Sequence, residues 1–114
     1  MREVDTDMFP EDFRELLHDI ADNFSSEVPN TCLIHYVNVK DVLGVAPNEE
    51  AGFDEDDWKR IARIEQLLTV GREVLPIVLN KHMIYDGVHR IVAARRLGVK
   101  RLPCIDIRDW GIEE

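Results

Sequence analysis

Residues 85–98 read YDGVHRIVAARRLG, and this stretch decides the fold around it. An apolar run, one glycine and a helical pattern follow one another without a spacer. The sequence therefore predicts a sharp turn at Gly87 and a helix over residues 88–97. The backbone N–H groups and the positive end of the helix dipole would then face one point beside His89 and Arg90. Such a point favours a phosphate group.

The residues of this turn have separate expected roles. Gly87 lets the backbone approach a ligand because it has no Cβ. His89 and Arg90 can both donate hydrogen bonds to phosphate oxygens, the arginine through its two-pronged guanidinium. Asp86 could cap the helix, hold Arg90 or bind a metal. An alternative without any ligand stays open, namely a turn that merely starts a helix, with a solvated arginine and a histidine packed on the sheet.

Composition limits the possible functions. The chain has 114 residues, of which 45% are apolar, enough for one compact domain. No apolar run approaches the ~20 residues of a membrane span, and no signal-peptide pattern opens the chain, so we expect a cytoplasmic protein. Its 23 acidic and 14 basic residues give a net charge of −9, which disfavours duplex DNA as a partner. Cys32 and Cys104 each lie in an apolar run, where we expect buried, reduced thiols.

Hydrophobic periodicity predicts three helices and several short strands. The helices are expected at residues 8–24, 55–69 and 88–97, and the strands at 31–39, 75–79, 83–85 and 102–107. Asp54 is placed to cap the second helix, with Phe53 and Trp58 at the positions of a hydrophobic staple. This pattern indicates an α+β fold in which helices pack on a small sheet.

Single polar residues carry weaker signals. Glu65 falls inside the apolar arc of the second helix. We expect it to lie at the rim of the apolar core or to pair with an arginine at the edge of that core. His18, His35 and His82 show no zinc-ligand spacing with the cysteines, so no metal site built from protein ligands alone is expected. Trp110 is expected to anchor the end of the chain.

The order and spacing of these segments resemble the ParB/sulfiredoxin superfamily. The matching motifs are LPIVL at 75–79, DGVHR at 86–90, LG at 97–98 and VKRLP at 99–103. The resemblance covers about residues 31–107. It implies a ParB/sulfiredoxin-like α+β domain over residues 31–114, with a small mixed sheet, packed helices and a turn that binds nucleotide phosphates. Residues 1–30 would then be an additional N-terminal helix and its connector.

The turn distinguishes the branches of this superfamily. Sulfiredoxins have Gly-Cys-His-Arg and use the cysteine, so Val88 argues against sulfiredoxin chemistry here. Partition ParB proteins share Gly87 and Arg90 but have Glu and Arg in place of Val88 and His89. They also carry DNA-binding and dimerisation domains for which no sequence remains in this chain, so we do not expect centromere binding.

The resemblance is strongest to the free-serine kinase branch, whose turn reads Asp-Gly-His-His-Arg and is followed by a stretch similar to residues 97–101. Those enzymes use the glutamate of a Pro-His-Glu loop as the base, and Pro47-Asn48-Glu49 stands at the comparable place. The resemblance implies that Glu49 takes the proton of an attacking hydroxyl. Asn48 and Val88 depart from the pattern of that branch, and the adjacent Glu50 is an alternative base. A solvated acidic loop with no catalytic role also stays open for Glu49.

The same resemblance implies how the phosphoryl group is held. Residues 86–90, which are Asp86, Gly87, Val88, His89 and Arg90, would bind the nucleotide phosphates, and His89 would contact the transferred group. The expected ligand is ATP, ADP or CTP. Mg²⁺ bound to the nucleotide would take Asp86 as its protein ligand, because Mg²⁺ is commonly held by phosphates and one or two carboxylates.

Two other classes of function remain open from the sequence. One is a non-catalytic interaction module of phage or plasmid type, whose acidic surface binds a host protein. The other is a ParB-like nuclease, which the acidic charge and the lack of a metal-binding carboxylate cluster disfavour.

Overall fold

The computed structural model describes residues 1–112 of the chain. In order, the elements are β1 (Arg2–Asp5), α1 (Glu11–Asn23), β2 (Thr31–Asn38), α2 (Glu55–Thr69), β3 (Ile77–Asn80), β4 (Met83–Asp86), α3 (Val88–Leu97) and β5 (Arg101–Asp106). The strands form one sheet in the order β1-β2-β5-β3-β4. Strands β3 and β5 run parallel, whereas the other neighbours are antiparallel. The expected α+β class, with a small mixed sheet and packed helices, is confirmed.

Helix α3 spans the predicted residues, and the glycines on either side explain its bounds. Gly87 and Gly98 both adopt left-handed backbone conformations, with φ values of 117° and 70°. The N–H of Val99 donates to the carbonyl of Ala94 at 2.9 Å and satisfies one of the last helical carbonyls. Local backbone chemistry therefore defines both ends of this helix.

The N-terminal segment differs most from the prediction. Residues Arg2–Asp5 form strand β1, which pairs antiparallel with β2 and which the sequence pattern did not indicate. Helix α1 begins at Glu11 instead of residue 8, because Pro10 takes the N-cap position with an extended ψ of 149°. Residues Thr6–Met8 form a separate short 3-10 turn. Residues 1–30 thus contribute an edge strand to the sheet that the later residues form, and a helix that packs on one face of it.

Two apolar clusters cover the two faces of the sheet. Helix α1 packs on one face, where Phe13 and Leu17 meet Ile34 and Ile105. Helices α2 and α3 pack on the opposite face, through a cluster that contains Ile61, Ile77, Leu79, Ile91, Val92 and Leu102. Neighbouring residues of a strand point to opposite faces, and accordingly Ile77 belongs to one cluster and Val78 to the other. Strand β3 is therefore buried on both faces.

The expectations for Glu65 and Trp110 are confirmed. The Glu65 carboxylate lies 3.4 Å from the Nε of Arg96, which gives it the expected arginine partner. Trp110 packs against the cluster on the α1 face.

Among residues 1–112, no three His, Cys, Asp or Glu side chains lie together as a metal site. Within the same residues, no helix combines the length and the apolar character needed to cross a membrane.

Both cysteines are buried, with 1% of Cys32 and 4% of Cys104 exposed, and they form no disulfide. Burial raises the pKa of both thiols, that of Cys104 to about 11. We expect neither thiol to react with iodoacetamide near pH 8 in the folded protein and both to react in denaturant, since only the exposed thiolate is nucleophilic. Mass spectrometry counts the labels, and rapid labelling of either cysteine in the folded state would contradict this expectation.

Candidate functional site

One residue, Gly87, separates the end of β4 from the start of α3. It lies against strand β3, with its backbone at a φ of 117°. A Cβ at this position would lie 2.5 Å from Cγ2 and 2.8 Å from Cβ of Ile77. Glycine is thus required twice, by the backbone conformation and by the contact with Ile77. The predicted glycine turn is present at its predicted place.

The start of α3 is not capped by a side chain. The first carbonyl of the helix, that of Gly87, accepts from the N–H of Ile91 at 3.0 Å. In an α-helix the N–H groups before that point have no partner inside the helix, here those of Val88, His89 and Arg90. These donors and the positive end of the helix dipole are available to an anion.

The Arg90 side chain is held at the base of this turn. Its Nη2 donates to the Asp86 carboxylate at 2.8 Å and to the carbonyl of Pro76 at 3.3 Å. The side chain is only 14% exposed, and its Nε is buried without a hydrogen-bond partner. Of the three roles considered for Asp86, the structure shows the one in which it holds Arg90.

The position of Asp86 also bears on the expected Mg²⁺. It supplies one carboxylate, and one of its oxygens already accepts from Arg90. Within the described residues, it belongs to no group of three or more His, Cys, Asp or Glu side chains that could hold a metal ion. A Mg²⁺ there would draw most of its ligands from nucleotide phosphates and water, as Mg²⁺ commonly does. Asp86 as its protein ligand stays a prediction.

His89 has two partners, both from the start of helix α2. Its Nε2 lies 2.8 Å from Oδ1 of Asp57, and its ring stacks on Phe53 with centroids 5.4 Å apart and planes inclined by 28°. Asp57 also belongs to the cap of α2, because its Oδ2 accepts from the N–H of Asp54 at 3.0 Å. In return, Oδ1 of Asp54 accepts from the N–H of Asp57 at 2.9 Å. The predicted cap is confirmed as a reciprocal capping box.

The pKa of Asp57 is lowered, first by the hydrogen bond from the backbone of Asp54 and then by the hydrogen bond from His89. The carboxylate is therefore ionised at neutral pH. The sequence indicated the helix start but not the contact with His89, because Asp57 and His89 lie 32 residues apart. The Asp54-x-x-Asp57 spacing is the one sequence feature that indicates a role for Asp57, and it indicates helix capping alone.

A cleft of about 620 Å³ opens at this turn, and we call it the Gly87 cleft. Its lining consists of Asp12, Arg60, Arg63, Ile64, Leu75 and residues 85–90. Arg60 and Arg63 lie one helical turn apart on α2, exposed and without an ion pair or hydrogen bond in the described part of the chain. They lie on the face of α2 that points away from the core, and the sequence did not show that this face borders the turn.

The cleft is cationic in a chain that is strongly acidic overall. Its lining carries three arginines against the two carboxylates of Asp12 and Asp86. Arg90 is neutralised by Asp86, whereas Arg60 and Arg63 have no such partner within residues 1–112. Unpaired arginines beside open N–H groups suit a ligand with more than one negative charge.

Glu49, the expected base, lies elsewhere. It begins the 3-10 turn Glu49–Gly52, and its Oε2 accepts from the N–H of Ala46 at 3.0 Å. The carbonyl of Ala46 in turn accepts from Arg95 at 2.8 Å. Arg95 lies about two turns, or ~10 Å, beyond the start of α3. Glu49 is therefore not among the residues that line the Gly87 cleft.

No protein-family model matches this chain, and no curated protein matches it. Among solved structures, the chain is similar to a Pnob8-like ParB-N domain, with 14% sequence identity and a TM-score of 0.47. The similarity covers 66% of this chain and 29% of that one, so the chain spans less than a third of that protein's length. This likeness says nothing of ligand or activity.

Replacement of Gly87 by alanine should lower the free energy of unfolding by about 3 kcal/mol or more, because the new Cβ is strained and overlaps Ile77. Gly98→Ala is the matched control, since Gly98 is also left-handed but has no atom within 4 Å of the added Cβ. The Gly98→Ala variant should lose only about 1–2 kcal/mol of unfolding free energy. Urea unfolding measures both. Equal losses would mean that the Ile77 contact does not require glycine.

The contribution of Asp57 to the stability of the start of α2 should be lost at low pH. The pKa of Asp57 lies below the ordinary value of 3.8, so its contribution is complete above that value and is lost as the pH falls through the lower folded-state pKa. We expect the difference in unfolding free energy between the parent protein and Asp57→Asn to shrink between about pH 5 and pH 2. A difference that stays constant over this range would show that the carboxylate charge is not what stabilises the helix start.

Proposed function

We propose that this chain binds a nucleotide through its phosphate groups in the Gly87 cleft, and that it transfers or hydrolyses the terminal phosphoryl group. The observation that carries the proposal is the Gly87 turn itself. There, a backbone with no room for a Cβ leads directly into a helix whose first N–H groups no side chain caps. An anion at this point would occupy donors that the protein leaves open.

The charges around the turn support a ligand with several phosphates. One phosphate would lie on the N–H groups at the start of α3, and a second within reach of the Arg60 and Arg63 guanidinium groups across the cleft. Arginine suits this role because its planar fork can donate two hydrogen bonds to one phosphate. A monophosphate would leave one of the two cationic groups unused.

The size and the apolar part of the lining suit the rest of a nucleotide. A volume of about 620 Å³ lies within the usual range for small-ligand sites, roughly 300–1,000 Å³. Ile64, Leu75 and Val88 supply apolar surface beside the charged groups. ATP, ADP and CTP are the ligands to test, each with and without Mg²⁺.

One observation favours the second candidate, a non-catalytic interaction module that binds a protein. The side chains of His89 and Arg90 are already paired with the protein's own Asp57 and Asp86, as they would be if the turn served only packing. In that case nucleotides would have no effect on stability, and a protein partner would attach elsewhere through charge.

Thermal unfolding with a panel of nucleotides separates these candidates. Binding at a hundredfold excess over Kd should stabilise the folded protein by about 2.7 kcal/mol. The double variant Arg60→Gln/Arg63→Gln should keep its own stability, because both side chains are exposed and unpaired in the described residues. It should weaken triphosphate binding by about tenfold or more, since each lost charged hydrogen bond is worth roughly 1.5–3 kcal/mol.

Lys59→Gln/Arg72→Gln is the control with the same change of charge. Both residues are exposed and lie outside the lining of the cleft. Nucleotide affinity should be almost unchanged in this variant, apart from weak long-range attraction that salt screens. Equal weakening in the two double variants, or no stabilisation of the parent protein by any nucleotide, would rule out the proposed site.

A further inference from the structure

We infer that Asp57 and His89 form a dyad in which Asp57 positions His89 to accept the proton of the attacking hydroxyl. The inference rests on the proposed function, because it concerns the chemistry of a phosphoryl group bound in the Gly87 cleft. It assigns the base to His89 and gives Asp57, on a different helix, a role that the sequence did not indicate.

The first support is the way in which the imidazole of His89 is fixed. Its Nε2 lies 2.8 Å from Oδ1 of Asp57, and its ring lies on the ring of Phe53. His89 is also the second residue of α3, immediately beside the open N–H groups. One contact from α2 and one from the residue before its cap thus fix the ring, while its own helix places it at the mouth of the anion site. Only 27% of the side chain is exposed.

The second support is that Asp57 has no freedom to change its hydrogen bonds. Oδ2 accepts from the N–H of Asp54 and Oδ1 faces His89, so both oxygens act as acceptors. An ionised carboxylate can only accept, and the lowered pKa of Asp57 keeps it ionised at neutral pH. Neutral His89 must therefore carry its proton on Nε2. Its Nδ1 then has a lone pair and forms no hydrogen bond within the described residues.

These groups allow a balanced phosphoryl transfer from a nucleoside triphosphate to water. The water oxygen forms a bond to the terminal phosphorus as its proton passes to Nδ1 of His89. The bond between that phosphorus and the bridging oxygen breaks, and the electron pair leaves with the nucleoside diphosphate. The imidazolium that forms is stabilised by the Asp57 carboxylate and later releases its proton to solvent.

Glu49 is the competing base, and its position weakens that assignment. Its carboxylate accepts from the N–H of Ala46 in a loop tied to Arg95, and it does not line the Gly87 cleft. A base must reach the acceptor hydroxyl directly or through one water. His89 lines the cleft beside Gly87 and Arg90, whereas Glu49 would have to move to reach it.

Asp57→Asn tests the dyad because the two hydrogen bonds of Asp57 make conflicting demands on an amide. The amide oxygen must remain opposite the N–H of Asp54 to keep the cap, so the amide NH₂ group faces Nε2 of His89. That nitrogen must then accept, and the imidazole proton moves to Nδ1, the atom required as the base. We expect the ¹⁵N NMR spectrum of His89 to show the proton on Nε2 in the parent protein and on Nδ1 in this variant.

The kinetic expectation is specific to a positioning role. With saturating ATP, Asp57→Asn should lower kcat about 100-fold or more, the usual scale of general-base catalysis, while KM changes less than about threefold. Asp54→Ala is the matched control. It removes the side-chain acceptor for the N–H of Asp57 and so weakens the start of α2, but the backbone N–H of residue 54 can still donate to the Asp57 carboxylate. This control should keep kcat and the parent tautomer despite its lower stability.

The outcomes separate the two proposals. ATP binding that persists with an unchanged kcat in Asp57→Asn, or a parent His89 with its proton on Nδ1, would overturn the dyad and leave the nucleotide site intact. Loss of turnover in Glu49→Gln together with full turnover in Asp57→Asn would return the role of base to Glu49. The absence of any nucleotide binding by the parent protein would overturn both.

Discussion

The contact between Gly87 and Ile77 is the constraint on which the candidate site depends. Strand β3 is buried on both faces, and its first residue occupies the space that a Cβ of residue 87 would fill. The helix start therefore lies directly against strand β3. The lack of a side-chain cap on α3 follows directly, since the N-cap residue must be glycine and glycine has no side chain with which to cap.

The first backbone N–H groups of α2 and α3, whose starts meet at the cleft, are treated in opposite ways. Helix α2 begins with a reciprocal capping box between Asp54 and Asp57, which uses the chain's own carboxylates. Helix α3 begins with open N–H groups, and the carboxylate before it, that of Asp86, accepts from Arg90 instead. An anion bound at α3 would replace the missing cap. Binding of such an anion would therefore add to the local stability at this point of the fold.

Local chemistry made much of this structure predictable from the sequence. Gly87 and Gly98 mark the two ends of α3, and Asp54 marks the start of α2. Each of these residues sets the backbone conformation or the hydrogen bonds within one turn of itself. Strand β1 could not be foreseen, since Arg2–Asp5 holds a single apolar residue and becomes a strand only by pairing with β2. Its structure is a tertiary effect, and propensity carries no information about it.

The candidate site was predictable to the same extent. The turn at Gly87 depends on neighbouring residues and was found, whereas the contact of His89 with Asp57 depends on how two helices pack against each other on one face of the sheet. The same packing brings Arg60 and Arg63 to the cleft and leaves Glu49 outside its lining. A resemblance in motif order supplied Glu49 as a base, but motif order does not fix the position of a loop relative to a helix start. The imidazole of His89, held by a charged partner and a ring, is already fixed by the fold, and this is the requirement that a base must meet before its substrate arrives.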